Sequence, residues 1–298
     1  MKERLLTAAV GIPLALAIVI ASAWFPWVMY TVLLLLCMIG IYEVLKTVGA
    51  DRNKILYPPC FLYGIIVMLS PLLDCWGWDL EAVILPASLV FLFVMFAILL
   101  RKHQTLRIET LCTVMILTMF VSFPFMVMEL IYMTFSDLVP PVSDDGARYF
   151  CGVAMVSYCL IVSWVADGGA YFVGRALGKH KMAPVLSPKK TVEGAVGGFV
   201  ISLILSLGTA YVYADVLHCL PWRVNFLYLA IISAICILMS MFGDISFSAV
   251  KRQYGIKDFG NLMPGHGGVL DRFDSVLFVC PTFYLLQFIL PILIITQP

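Results

Sequence analysis

Residues 225–274 read NFLYLAIISAICILMSMFG DISFSAVKRQYGIKDFGNLMPGHGGVLDRFD. The first part, 225–243, carries no charge. At 1.5 Å per residue it is long enough to cross a hydrocarbon layer of about 30 Å as a helix. At Asp244 the chain changes character. Lys251, Arg252, Lys257, Asp258, His266, Asp271, Arg272 and Asp274 follow, interleaved with glycines and Pro264. Polar groups at membrane depth are costly, so a cluster of this kind next to an apolar span marks a functional site.

The same alternation governs the rest of the chain. Of its 298 residues 62% are hydrophobic and 12% charged, against about 25% charged in an ordinary soluble domain. The mean hydropathy is +1.01. Apolar runs near twenty residues recur from end to end, and no in/out alternation of barrel type is present, so the fold class is all-α and polytopic, an integral membrane protein. The nine cysteines fall mostly inside apolar runs without a CxxC pair. They read as small buried hydrophobes, not as a disulfide framework or zinc site. The N-terminal MKERLLTAAVGIPLALAIVIASAWF is charged and then apolar, too long for a signal peptide without a clear cleavage site, and reads as a retained first helix.

Nine spans are predicted, near 5–24, 28–47, 57–73, 82–100, 110–134, 149–166, 195–213, 225–243 and 275–295. Their connections sort by charge. One side holds Lys2, Arg4, Lys46, Arg52, Lys54, Arg101, Lys102, Arg107, Arg175, Lys179, Lys181, Lys189, Lys190, Lys251, Arg252, Lys257 and Arg272. The other keeps only Arg148 and Arg223, beside Asp74, Asp79, Glu81, Asp137, Asp144 and Asp145. By the positive-inside rule the N-terminus is cytoplasmic and the C-terminus outside. The expected organisation is an N-terminal part, 1–148, serving as scaffold and lipid access. A C-terminal part, 149–298, would carry the cytoplasmic catalytic loops 167–194 and 244–274. Glu129 inside the fifth span and Glu43 near a membrane boundary read as acids facing a bundle interior.

Both polar loops begin with an aspartate at the end of an apolar helix, and two such loops on one face can form one pocket. Asp244, Ser248 and Lys251 are spaced to share a helix face. Asp271 and Asp274, three apart, would aim together from a short helical turn. Gly267 and Gly268 let backbone approach a ligand. Carboxylates convergent with Lys and Arg suit a Mg²⁺–polyphosphate complex. His266 has phosphate-binding, general-base or structural readings open to it. In the other loop Asp167, Tyr171, Gly174, Arg175 and Gly178 run from a helix end toward Lys179 and Lys181. Ser187-Pro-Lys189-Lys190-Thr191-x-Glu193-Gly194 then leads into the seventh span, with Thr191 or Ser187 as N-cap. Neither a dinucleotide fingerprint nor a P-loop is present.

The run Ser248-x-Val-Lys-Arg-x₄-Lys-Asp-x-Gly-x₂-Met-Pro-x-His-Gly-Gly-x₂-Asp-Arg-x-Asp274 resembles the diagnostic motif of the phosphatidate cytidylyltransferases (CDP-diacylglycerol synthases). Asp167-x₂-Ala-Tyr-x₂-Gly-Arg-x₂-Gly-Lys and Ser187-Pro-Lys-Lys-Thr-x-Glu-Gly resemble that family's second shared region. Met263 departs from the commoner Leu, Ile or Phe. The resemblance implies transfer of a cytidylyl group from CTP to phosphatidate at a bacterial cell membrane. It implies Mg²⁺ dependence with a paired metal centre, and an active site on the cytoplasmic side of a multi-pass protein. On the matched positions Asp244, Asp271 and Asp274 are metal candidates, and the catalytic set adds Lys251, Arg252, His266 and Arg272. Substrate binding falls to Asp167, Arg175, Ser187, Lys189, Lys190, Glu193, Ser248, Lys257, Asp258, Gly267 and Gly268. The partners implied are CTP, phosphatidate and the lipid bilayer, with no nucleic acid. Such enzymes are often dimeric, and a homodimer is expected on that ground, not from a heptad or GxxxG seam. The alternatives are a CTP-dependent enzyme acting on another lipid or polyprenol phosphate, and, in a different class, a membrane transporter. Against the transporter, the acids gather at helix ends on one face and not at midplane.

Overall fold

The computed structural model describes residues 17–74, 77–137, 145–217, 223–262 and 267–294. They form an all-α membrane-type fold. The long helices are α1 (Pro26–Thr47), α2 (Tyr57–Asp74), α3 (Leu80–Lys102), α4 (Ile108–Asp137), α5 (Asp145–Leu177), α6 (Val192–Tyr211) and α7 (Phe226–Gln253). A four-residue turn, α8 (Leu270–Phe273), precedes α9 (Val276–Ile289). Two small antiparallel pairs complete the set: β1 (Lys181–Ala183) with β2 (Ser187–Thr191), and β3 (Arg223–Val224) with β4 (Leu293–Ile294).

Seven helices among the described residues are long and apolar enough to cross a membrane. Of the nine predicted spans, the first is described only from residue 17, helical through 24. The last appears as α9, whose 14 residues rise about 21 Å, short of a full crossing. Helix α3 is apolar all round: the mean hydropathy of its most apolar stretch is 2.9, and only 17% of that stretch is buried in the protein. Leu85, Leu89, Phe93 and Leu100 on it are more than half exposed. In water such a surface would collapse onto another protein face, whereas lipid solvates it.

The chain packs as two compact units. Of the described residues, the first comprises those within Trp27–Leu130 and Tyr254–Asp271. Within it α2 and α3 are joined by Tyr63 stacked on Phe91 (ring centroids 4.6 Å apart) and by Tyr63 Oη at 3.2 Å from Ser88 Oγ. Helix α1 comes so close to α2 that a Cβ on Gly64 would meet Ile41 and Met38. Glu129, 1% exposed, lies inside this unit. The segment 254–271 therefore packs with the helices of the first half.

Of the described residues, the second unit comprises those from 17 to 26, from 131 to 253 and from 272 to 294. Its spine is the pair α5–α6. Two GxxxG spacings not singled out above, Gly174-x₃-Gly178 and Gly194-x₃-Gly198, act here within the chain. A Cβ on Gly169 would stand 3.1 Å from Gly198 Cα, and one on Gly174 would stand 3.4 Å from Gly194 Cα. Small residues let two backbones touch, the usual way membrane helices associate when the hydrophobic effect does not separate them from lipid. Of the two N-cap candidates, Thr191 caps α6, its Oγ1 accepting from Gly194 N at 3.1 Å, and Ser187 starts β2 instead. Tyr158 Oη and Ser233 Oγ, 2.5 Å apart, tie α5 to α7.

Candidate active site

In the second unit three acids come from three elements. Asp167 lies on α5 and Asp244 on α7, ten and nine residues before those helices end and not at their ends as the sequence suggested, and Asp274 lies between α8 and α9. Gly243 is what brings the last two elements together: a Cβ there would lie 2.9 Å from Asp274 O and 2.6 Å from the Phe278 ring. Asp167 is near enough to Asp244 and to Asp274 for their charges to interact, and each of the three has a partner. Lys190, at the end of the β1–β2 hairpin, forms an ion pair with Asp244. Lys251 Nζ stands 3.5 Å from Asp274 Oδ2. Ser275 donates its backbone N–H to Asp274 Oδ1 at 2.9 Å, and its Oγ is 3.0 Å from Asp167 Oδ2. Arg252 Nε donates to Leu186 O at 3.3 Å, a second tie between α7 and the hairpin. Trp164 Nε1 donates to Arg272 O at 3.0 Å. The hairpin residues Lys190 and Leu186 thus meet α7, while 167–177 and 244–253, expected as loop, continue the helices α5 and α7. The meeting is electrostatic, with ammonium groups set among acids that would otherwise repel one another.

In the first unit the motif loop is organised around a carboxylate. Asp271 Oδ2 accepts from Phe259 N at 2.8 Å and from Gly268 N at 2.9 Å. Gly267 has φ +87°, a conformation that side chains other than glycine rarely adopt. The loop's apolar residues Phe259, Val269 and Leu270 are buried, while Lys257 and Asp258 are exposed.

The remaining candidates divide by environment. Ser248 is buried on α7, one turn before Lys251. Arg175, Lys189 and Arg272 are exposed, and Ser187 is half-buried in β2. Glu193, in the first turn of α6, accepts from the backbone amides of Lys179 and His180 and pairs with the His180 ring, closing the base of the hairpin. His266, with Met263, Pro264 and Gly265, lies outside the described residues. One residue enters that sequence reasoning passed over, and another that it read only as an acid facing a bundle interior. Ser275, just past the motif, links two of the acids. Glu43 is 4% exposed and holds the motif loop.

Among the described residues no group of three or more His, Cys, Asp and Glu is arranged to enclose a metal alone. The second unit's donors are nevertheless the hard oxygens that Mg²⁺ takes. That ion keeps several waters and is usually bound through one or two carboxylates plus substrate phosphates. The residues present fit such an ion, with no thiolate or imidazole among the described side chains of the cluster.

Comparison with known proteins bears on this site. A profile of the Cytidylyltransferase family matches residues 2–290. The chain is 47% identical over 135 residues to a phosphatidate cytidylyltransferase of Bacillus subtilis strain 168, a match covering 45% of this chain and 48%, about half, of that protein. It is 31% identical over 290 residues to the phosphatidate cytidylyltransferase of Staphylococcus saprophyticus, covering 96% of this chain and 98% of the other. The Staphylococcus haemolyticus protein of the same name is 29% identical over 289 residues, with the same coverage.

Proposed function

Since the chain belongs to the Cytidylyltransferase family, we propose that it transfers the cytidylyl group of CTP to phosphatidate, releasing pyrophosphate and leaving CDP-diacylglycerol in the membrane. The observation that carries the reading, beside the family match, is the clustering of Asp167, Asp244 and Asp274 with Lys190 and Lys251. The phosphate monoester of phosphatidate is already anionic near neutral pH and hardly needs a general base. The obstacle is the approach of one anion to another. In this reading Lys190, Lys251 and Arg252 take phosphate oxygens, with Lys189, Arg175, Lys257 and Arg272 as further cations of the motif. Asp244 and Asp274 would hold Mg²⁺ with Asp167 beside them, and Asp271 keeps the metal role that the motif implies. A bound Mg²⁺ pair would supply charge neutralisation and alignment of the phosphates. Ser275 orients Asp167 and Asp274. The ends of α5, α6 and α7 fix the lysines, so that the lipid phosphate attacks the α-phosphorus in line with the departing pyrophosphate.

The proposal includes the topology. Nine spans, the ninth completed beyond the short α9 where β4 pairs with β3 ahead of α7, with a cytoplasmic N-terminus and an external C-terminus, put both polar loops in the cytoplasm of a bacterial cell, where CTP is. The excess of Lys and Arg on that side supports this. It also includes a homodimer.

The test is transfer of label from α-phosphate-labelled CTP into extractable lipid by purified protein. Phosphatidate would be supplied with and without Mg²⁺, beside Asp244→Asn. Label that requires phosphatidate and Mg²⁺ and is lost in the variant is the expected result. Label only with another lipid or polyprenol phosphate moves the chain to a sister activity. No transfer from folded protein refutes the enzyme.

A further inference from the structure

Glu43 sits on the last turns of α1, in a helix otherwise apolar until Lys46. A buried carboxylate there requires partners. It finds them 226 and 227 residues along the chain: Val269 N donates to its Oε1 and Leu270 N to its Oε2, both at 2.9 Å. The fit leaves no space. A Cβ on Gly268 or Gly260 would collide with the Glu43 carboxylate, so both glycines form walls of its socket. Three positions earlier on the same helix face, Gly40 makes a notch for Leu270, whose side chain a Cβ there would meet at 3.2 Å. On the other side of the same turn, Asp271 gathers the amides of Phe259 and Gly268. Two carboxylates thus satisfy four successive or facing amides of one glycine-rich turn, all within one compact unit.

We propose that Glu43 is a positioning residue of the transfer reaction. Resting on the function proposed above, this reading has Glu43 set the conformation of the turn that carries Gly267, Gly268 and Asp271. It touches no substrate itself. The chemistry of the contact is specific to a carboxylate, because each oxygen accepts from a different N–H. Glutamine keeps the shape but turns an NH₂ group toward one of those amides, donor against donor. Aspartate keeps both acceptors on a stem one methylene shorter.

The test compares wild type, Glu43→Gln and Glu43→Asp in detergent, by steady-state transfer kinetics and by hydrogen exchange. In Glu43→Gln, exchange should rise in peptides covering 259–271 and stay unchanged in those covering α5 and α6. Its kcat should fall about 10- to 100-fold with KM for phosphatidate within about threefold, as expected when reacting groups are misplaced but still bind. Glu43→Asp should recover part of kcat. Wild-type kcat and exchange in Glu43→Gln would overturn the proposal. So would accelerated exchange throughout the protein with a proportional loss of active enzyme, since that marks a merely structural residue. A wild-type protein without transfer activity would refute the functional reading. The exchange pattern would then still decide whether Glu43 anchors the turn.

Discussion

Lys251 and Asp274 are 8% and 6% exposed and face each other at 3.5 Å. Removing one member of a buried pair leaves the other charged and dehydrated, which costs far more than the pair contributes. Asp274→Ala is therefore expected to lower stability by about 3 kcal/mol as well as activity, seen as an earlier unfolding midpoint in detergent. His180 and Glu193 also pair, but the imidazole is 79% exposed and water screens the interaction. His180→Ala should leave the midpoint where it was. Asp244, Lys251 and Asp274 were legible in the sequence because they stand at helical spacings inside one dense motif. Ser275 and Glu43 were not. Serine next to aspartate is common anywhere, and a single acid near a membrane boundary says nothing about amides more than two hundred residues away.

Helix α6 tests how close packing positions the hairpin that carries Lys190. Gly198 and Gly208 lie on it in opposite situations. A Cβ on Gly198 would stand 2.6 Å from Ala166 O and 2.8 Å from Ala170 N, whereas one on Gly208 meets nothing within 4 Å. Gly198→Ala must push α5 and α6 apart and should destabilise by about 1–3 kcal/mol, with transfer activity falling as Lys190 shifts. Gly208→Ala should be neutral or stabilising by about 0.5–1 kcal/mol. Thermal unfolding of the two variants in parallel decides it. The helices themselves were readable from apolar run length, and the start of α6 from Thr191 ahead of a glycine-rich first turn. The partner of each helix was not, because glycines on two helices look alike in the sequence whether they face lipid, a second copy or each other. The shortness of α9 also escaped, since hydropathy reports apolar length and not where the backbone stops being helical.

The distribution of Lys and Arg gives the whole molecule a direction that labelling can read. Val185, 87% exposed at the hairpin, replaced as Val185→Cys should react with an impermeant thiol reagent only from the cytoplasmic face. Asp79→Cys should react only from the other, wild type serving as background. The reverse pattern would invert the topology. Chelation of divalent ions should abolish transfer, and added Mg²⁺ should restore it. Activity indifferent to chelator would remove the metal from the mechanism. The socket of Glu43 also bears on how the chain is made. Synthesis proceeds at about 5–20 residues per second, so the 226 residues separating Glu43 from Val269 take on the order of 10–50 s to emerge. During that interval the N-terminal helices are already in the membrane with an acid awaiting its amides. Ribosome-bound chains stopped before residue 269 should expose this bundle to membrane proteases, and chains stopped after Leu270 has cleared the ribosome should not. By this prediction the N-terminal bundle, among the first parts inserted, would be among the last to finish folding.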